Sequence, residues 1–204
     1  MVWPRHEIVS GIFTWPWFSE PHGYNFNGHL IRHADGNLCV DPVEPDAETL
    51  DEIADMGVAR IVLTNRNHSR AANRVRARTG ARTAIHPHDA AHAVGQGTEL
   101  DDELGIGDTV GPLVVVGVPG KSPGEVALHW PARRILIVGD AVIGKPPGRC
   151  GLLPERVIDD PALLRQSVRG VLDLDFDTLL VGDGEPILSG ARARLEELVA
   201  TFPD

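Results

Sequence analysis

Lysine is almost missing from this chain. Of nineteen basic residues only Lys121 and Lys145 are lysines, and the others are arginines. A GC-rich genome favours arginine codons, which makes the positions of the two exceptions worth noting. Cysteine is equally scarce. Cys39 and Cys150 form neither a disulfide framework nor a C-x-x-C pair. Cys39, within Leu38-Cys39-Val40, reads as a small core residue. There is no apolar run long enough for a signal peptide or a membrane helix, and the opening Met1–Glu7 stretch already carries Arg5, His6 and Glu7. A cytoplasmic protein with no membrane partner is therefore expected. Positive charge is also lacking: the formal net charge of −10 argues against a nucleic-acid partner. No repeat, linker or low-complexity block interrupts the 204 residues, so one domain is expected over residues 1–204.

What is present looks like an ordinary soluble core, with 42% apolar and 24% charged residues. Strand-like runs cover 8–13 and 29–40, and the second is broken by the turn residues Ala34-Asp35-Gly36-Asn37. Asp46 can cap a helix running to Met56, with Gly57 as its stop. Arg60–Leu63 reads as a buried strand, 71–78 as a helix ended by Gly80, and 83–86 as a strand. Strands are expected at 113–118, 125–130 and 134–138. A helix from Pro161 to Leu172 and a strand at 178–181 follow. Leucines and alanines at helical spacing predict a closing helix over 186–202. Periodicity alone supports an α/β protein with mixed sheets.

Four segments share a recognisable frame. They are Leu63-Thr64-Asn65-Arg66-Asn67-His68-Ser69-Arg70, Gly120-Lys121-Ser122-Pro123-Gly124, Gly139-Asp140-Ala141 and Gly182-Asp183-Gly184-Glu185-Pro186. In order and spacing they resemble the metallo-beta-lactamase superfamily, which carries T-H-x-H-x-D-H, G-H-[ST]-P-G, G-D and G-H-G-x-P. The resemblance covers about residues 8–190. It implies an αββα sandwich, two mixed β-sheets flanked by helices. The scaffold positions match, but most ligand positions do not. Asn65, Asn67, Ser69, Arg70, Lys121 and Asp183 stand where the family carries metal ligands, and only Asp140 keeps the family residue. Neutral amides are poor zinc ligands beside imidazole, and a guanidinium puts permanent positive charge where a cation should sit. Asp140 without a metal needs a compensating charge. Lys121, Arg66 or Arg70 can supply it, and a metal-free network pairing Asp140 and Asp183 with Lys121 and Arg70 is expected.

The candidate catalytic residues are His68, Lys121, Asp140 and Asp183. Pocket candidates are Asn65, Arg66, Asn67, Ser69, Arg70, Trp15, Trp17, His22 and Lys145. By resemblance Thr14–Asn25 forms a flap near the site mouth, where Trp15, Trp17 and Phe18 either bind an apolar ligand or pack at an edge. His68 fills a variable position of the family frame. It is either a displaced ligand or general base with Asp140, or a side chain pointing elsewhere. His86 and His88 read as surface-loop histidines, and Asp41, in Val40-Asp41-Pro42, as a structural hydrogen-bonding residue. The leading expectation is a binding or regulatory member with no cofactor, taking a small-molecule ligand or a protein partner. The alternative is a hydrolase with an altered site, either metal-free or holding one divalent ion, zinc by preference, on His68, Asp140 and Asp183. Covalent chemistry at Lys121 comes third. Oligomeric state is open.

Overall fold

The computed structural model describes residues 6–203. The first sheet has seven strands in sequence order: β1 (His6–Val9), β2 (Ile12–Ser19), β3 (Tyr24–Ile31), β4 (Leu38–Val40), β5 (Arg60–Leu63), β6 (Arg82–Ile85) and β7 (Asp102–Glu103). Strands β1 to β4 pair antiparallel, and β4 to β7 pair parallel. The parallel part needs crossovers, which α1 (Ala47–Met56), α2 (Ala72–Thr79) and α3 (Pro87–Gly95) provide. The second sheet runs β8 (Thr109–Val110), β9 (Leu113–Gly117), β10 (Val126–Trp130), β11 (Ile135–Val138) and β12 (Thr178–Val181). Its β11–β12 pair is parallel, and α4 (Pro161–Val171) makes that crossover before α5 (Ala191–Val199) closes the chain.

Apolar side chains fill three layers. Val62, Val115, Leu128, Ile135, Ile137 and Leu180 meet between the sheets. Ile61, Leu63, Ile53 and Val75 join the first sheet to its helices. Leu136, Val138, Leu164 and Leu195 do the same for the second sheet. Alternate residues of β5 and β11 therefore enter different layers, which explains why these strands read as unbroken apolar runs. This is the αββα sandwich.

Local signals placed α1 well: Asp46 accepts the Thr49 amide at 2.7 Å, and Gly57 follows Met56 at φ 74°. Two expectations need correction. Residues 87–95 are helix α3, opened by Pro87, so His86 is its N-cap and His88 lies in its first turn rather than in a surface loop. The closing helix begins only at Ala191. Gly190 takes a left-handed φ of 66°, and Ile187 is already bridged to Leu179. Residues 14–25, the expected flap, lie in the long β2–β3 hairpin, paired from Ile12↔Ile31 to Ser19↔Tyr24.

Candidate functional site

The parallel pairs β4–β5 and β11–β12 end at the same edge of the sandwich. Their C-terminal ends carry Asp41, residues 64–70, Asp140 and Asp183, and the β9–β10 loop adds Lys121. Crevices at the carboxyl ends of strands are where α/β sheets present chemistry.

His68 is the centre. It is completely buried, with Nδ1 2.8 Å from Asp41 Oδ2 and Nε2 3.2 Å from Asp140 Oδ1. Asp41 takes a left-handed φ of 48°. Its carboxylate also accepts the Thr64 amide at 2.8 Å and the Thr64 hydroxyl at 2.6 Å. Room for the ring comes from Gly182, where a Cβ would lie 2.6 Å from His68 Cε1. Asp140 reaches both ways: Oδ1 faces His68, and Oδ2 lies 3.1 Å from Lys121 Nζ. That ammonium also donates to Asn67 Oδ1 at 2.8 Å. Asp183 Oδ1 lies 3.3 Å from Arg70, whose guanidinium stacks 4.2 Å from the Phe26 ring. The Tyr24 hydroxyl donates to Asp183 Oδ2 at 3.4 Å.

Burial and the Arg70 charge push the His68 ring down, but the Asp41 and Asp140 carboxylates outweigh them and lift it to about 10. Burial raises Asp140, yet His68, Lys121 and Arg70 together hold it well below the usual carboxylate range. Burial and the neighbouring Asp140 raise Asp183. Burial, then Asp183, pushes Tyr24 to about 12.

Behind the floor lie two acids that no frame position marks. Glu125, 1% exposed, accepts the Asp140 amide at 2.7 Å and Asn65 Nδ2 at 3.3 Å. Burial and Asp140 raise it to about 8. Asp89, in the first turn of α3, accepts Ser122 Oγ at 2.5 Å, the Gly124 amide at 2.9 Å and the Arg66 amide at 2.9 Å. It thereby ties the Gly120–Gly124 loop to the 64–70 loop. Glu125 could have been suspected from its place directly after Gly124. Asp89 gave no signal, because its helix was not recognised.

The floor opens into a cavity of about 650 Å³. Its walls include Asn67, Arg70, Lys121, Asp140 and Asp183, and also His22 and Lys145. Other expected residues lie elsewhere. Trp15 is 4% exposed, packs over Gly28 and donates its indole N–H to the Val43 carbonyl at 3.0 Å, so it belongs to the core. Trp17 is exposed on the hairpin against Phe26 and is not a wall residue. Arg66 turns outward to a two-pronged contact with Asp159 at 2.7 and 2.6 Å. Asn65 is fully buried, held by Glu125 and by the Asn67 amide at 2.8 Å. Half-buried Ser69 is not in the wall either, and its carbonyl accepts the Ala72 amide. The wall is completed by Tyr24, Phe26, Ile143, Leu152, Leu153, Arg156 and Val157.

The sequence model of the metallo-beta-lactamase superfamily matches residues 8–202. The chain belongs to the metallo-beta-lactamase superfamily. Among curated relatives of this superfamily member is the hydroxyacylglutathione hydrolase of Fuscovulum blasticum, 29% identical over 193 residues, covering 85% of this chain and 74% of the relative. Among solved structures, a metallo-beta-lactamase from Pontibacter korlensis superposes with a TM-score of 0.78 at 15% identity, covering 98% of this chain and all of the other. The Pseudomonas aeruginosa metallo-beta-lactamase FIM-1, in a mono-zinc form, gives 0.74 at 18% identity, with 96% and 94% covered. At such identities the structures show a shared fold.

A metal is therefore an expected guest of this superfamily fold, and the donors can be tested against it. Nitrogen and oxygen donors of His68, Asp140 and Asp183 all lie within 4.8 Å of one another. With bonds of about 2 Å, one divalent ion fits that span after slight closure. The opposite flank, made of the Asn67 amide and the Lys121 ammonium, does not suit a second ion. The residues fit one metal and not two.

Proposed function

We propose that this chain is a metallo-beta-lactamase-fold hydrolase with an altered site, holding one divalent ion, zinc by its donor set, and acting on a small anionic acyl compound. The observation that carries this reading is the grip of Asp41 on His68 Nδ1 at 2.8 Å, which aims Nε2 at Asp140. A carboxylate behind a histidine fixes the tautomer that offers a lone pair to a metal. His68, Asp140 and Asp183 would hold the ion, which when bound would supply a Lewis acid and an activated water. The other tasks fall to the protein's own side chains. Arg70 and Tyr24 orient Asp183, and Glu125 anchors the Asp140 backbone. Leu152, Leu153 and Val157 shield the apolar part of a ligand. Lys145 and Arg156 line the cavity, and among the described residues neither has a carboxylate partner within 4.0 Å, so they favour a negatively charged substrate end. Acyl hydrolysis is the reading supported by the likeness to a hydroxyacylglutathione hydrolase.

The test is elemental mass spectrometry of protein purified without chelator, before and after zinc soaking, alongside turnover of an ester and thioester panel. One zinc per chain, with turnover abolished by chelator and restored by zinc, is expected. Two zincs per chain, or turnover indifferent to chelator, overturns the reading. One observation favours a second reading, the metal-free binding member. Three cationic groups, His68, Lys121 and Arg70, already face three carboxylates, Asp41, Asp140 and Asp183. That reading expects no zinc after soaking and no turnover.

A further inference from the structure

Lys121 is an unusual lysine. Its side chain is 8% exposed, and its ammonium stands on the floor of the cavity rather than at the mouth. Two floor groups share Asp140: His68 takes Oδ1 and Lys121 takes Oδ2. The ammonium therefore sits across a bridging carboxylate from the proposed metal ligand, on the flank that does not suit a second ion. An ammonium has three N–H donors. Asn67 Oδ1 at 2.8 Å and Asp140 Oδ2 at 3.1 Å account for two of them. No protein acceptor among the described residues takes the third, and the cavity lies against this group. The loop geometry holds it there. Asp89 fixes two groups within the loop, Ser122 Oγ and the Gly124 amide.

We propose that Lys121 is the oxyanion donor of the hydrolase, a resident cation that holds the carbonyl oxygen of the bound ester or thioester. This rests on the acyl-hydrolysis reading above. Water adds to the carbonyl carbon and forms a new C–O bond, while the C=O π pair moves onto the oxygen facing Lys121. The water gives up its proton to solvent through the open cavity. On collapse the C=O bond re-forms, and the C–S or C–O bond to the leaving group breaks with its electron pair. The departing thiolate or alkoxide takes a proton back from solvent, so one water and one ester or thioester give one acid and one alcohol or thiol. A donor fixed before reaction strengthens most as charge develops on the oxygen, so its effect falls on kcat more than on KM. Lys121 makes no covalent bond in this scheme, in contrast to Schiff-base chemistry.

The experiment compares wild type with Lys121→Met, Lys121→Gln and Lys121→Arg on mono-p-nitrophenyl glutarate and mono-S-phenyl thioglutarate, an ester and a thioester that each carry a free carboxylate. Binding of phenyl methylphosphonate, an anionic tetrahedral mimic, is measured by calorimetry, and zinc content is measured for each protein. Lys121→Met and Lys121→Gln are expected to lose about 100-fold in kcat with KM little changed. The mimic should bind more weakly by a similar factor, while zinc per chain stays the same. Lys121→Arg should retain part of the rate, and methylammonium should partly rescue Lys121→Met, which a purely structural lysine would not allow. Unchanged kcat in a folded Met or Gln variant overturns the proposal, as does a loss confined to KM. If wild type turns over neither ester, the hydrolase reading fails by itself. The mimic then separates the two: weaker binding by both variants leaves Lys121 only as a cation that holds an anion in the cavity, and equal binding overturns that role as well.

Discussion

On one flank of the cavity floor, three carboxylates from Asp41, Asp140 and Asp183 surround the single imidazole of His68. On the other, Asn67 sets its side-chain amide against the Lys121 ammonium, with Asn65 buried behind it. Both flanks draw on the same loop after β5, and Asp140 touches both. The first is poised to accept positive charge, while the second already contains it. A cationic side chain placed across a shared carboxylate thus changes which half of an inherited cleft can take a guest. A family frame by itself does not predict this, because cation and carboxylate are set by contacts between distant loops.

The largest effect should come from breaking the carboxylate flank. His68→Ala leaves Asp41 and Asp140 facing a buried void, and a loss of about 3–5 kcal/mol is expected at pH 7 without metal, read by urea unfolding. A loss below about 1 kcal/mol would mean that the two carboxylates do not depend on the ring. A smaller change sharpens the same flank. Asp41→Asn keeps an acceptor for Thr64 but removes the charge behind His68. Zinc affinity should fall about 10–100-fold in a chelator competition, and unaltered affinity would remove Asp41 as the tautomer anchor.

The smallest effect lies off both flanks and serves as a control. His29 is buried, with Nδ1 2.7 Å from Thr14 Oγ1 and Nε2 3.3 Å from the Val181 carbonyl. Burial lowers it to about 4. The unfolded ring, near 6.5, takes its proton before the folded one does. The neutral ring therefore costs nothing above pH 6.5, and stability is lost as pH falls from 6.5 towards 4. Unfolding free energies between pH 7 and 5 should drop less in His29→Gln than in wild type. The difference in slope is at most about 1.4 kcal/mol per pH unit, and parallel curves would show that His29 is not held neutral.

Much of the fold was legible because its signals are local. Asp46 and Gly57 bracket α1, and the apolar runs 60–63 and 178–181 became β5 and β12 with those same bounds. Helix α3 was missed because His86-Pro87-His88 looked like loop chemistry, although Pro87 suits a first helical turn. The last helix was drawn too long because leucine spacing continues across Gly190, which takes a backbone conformation that starts the helix afresh. Trp15 falls in the expected flap segment beside Trp17 and Phe18, which leaves ligand binding and packing equally open, and only the contact with Gly28 and the Val43 carbonyl puts it inside.

At the site, the sequence by itself determined the frame: glycines at the ends of β11 and β12, and Asp140, Asp183 and Lys121 at defined places beside them. Such positions are short-range features, since a strand end and the following turn are encoded by adjacent residues. Only the tertiary structure decided that His68 turns into the floor. Its partners Asp41 and Asp140 lie 27 and 72 residues away in the chain, and its ring fits because Gly182, just past the end of β12, has no side chain. Charge pairing across such separations depends on how two sheets stack, and no local pattern carries that information.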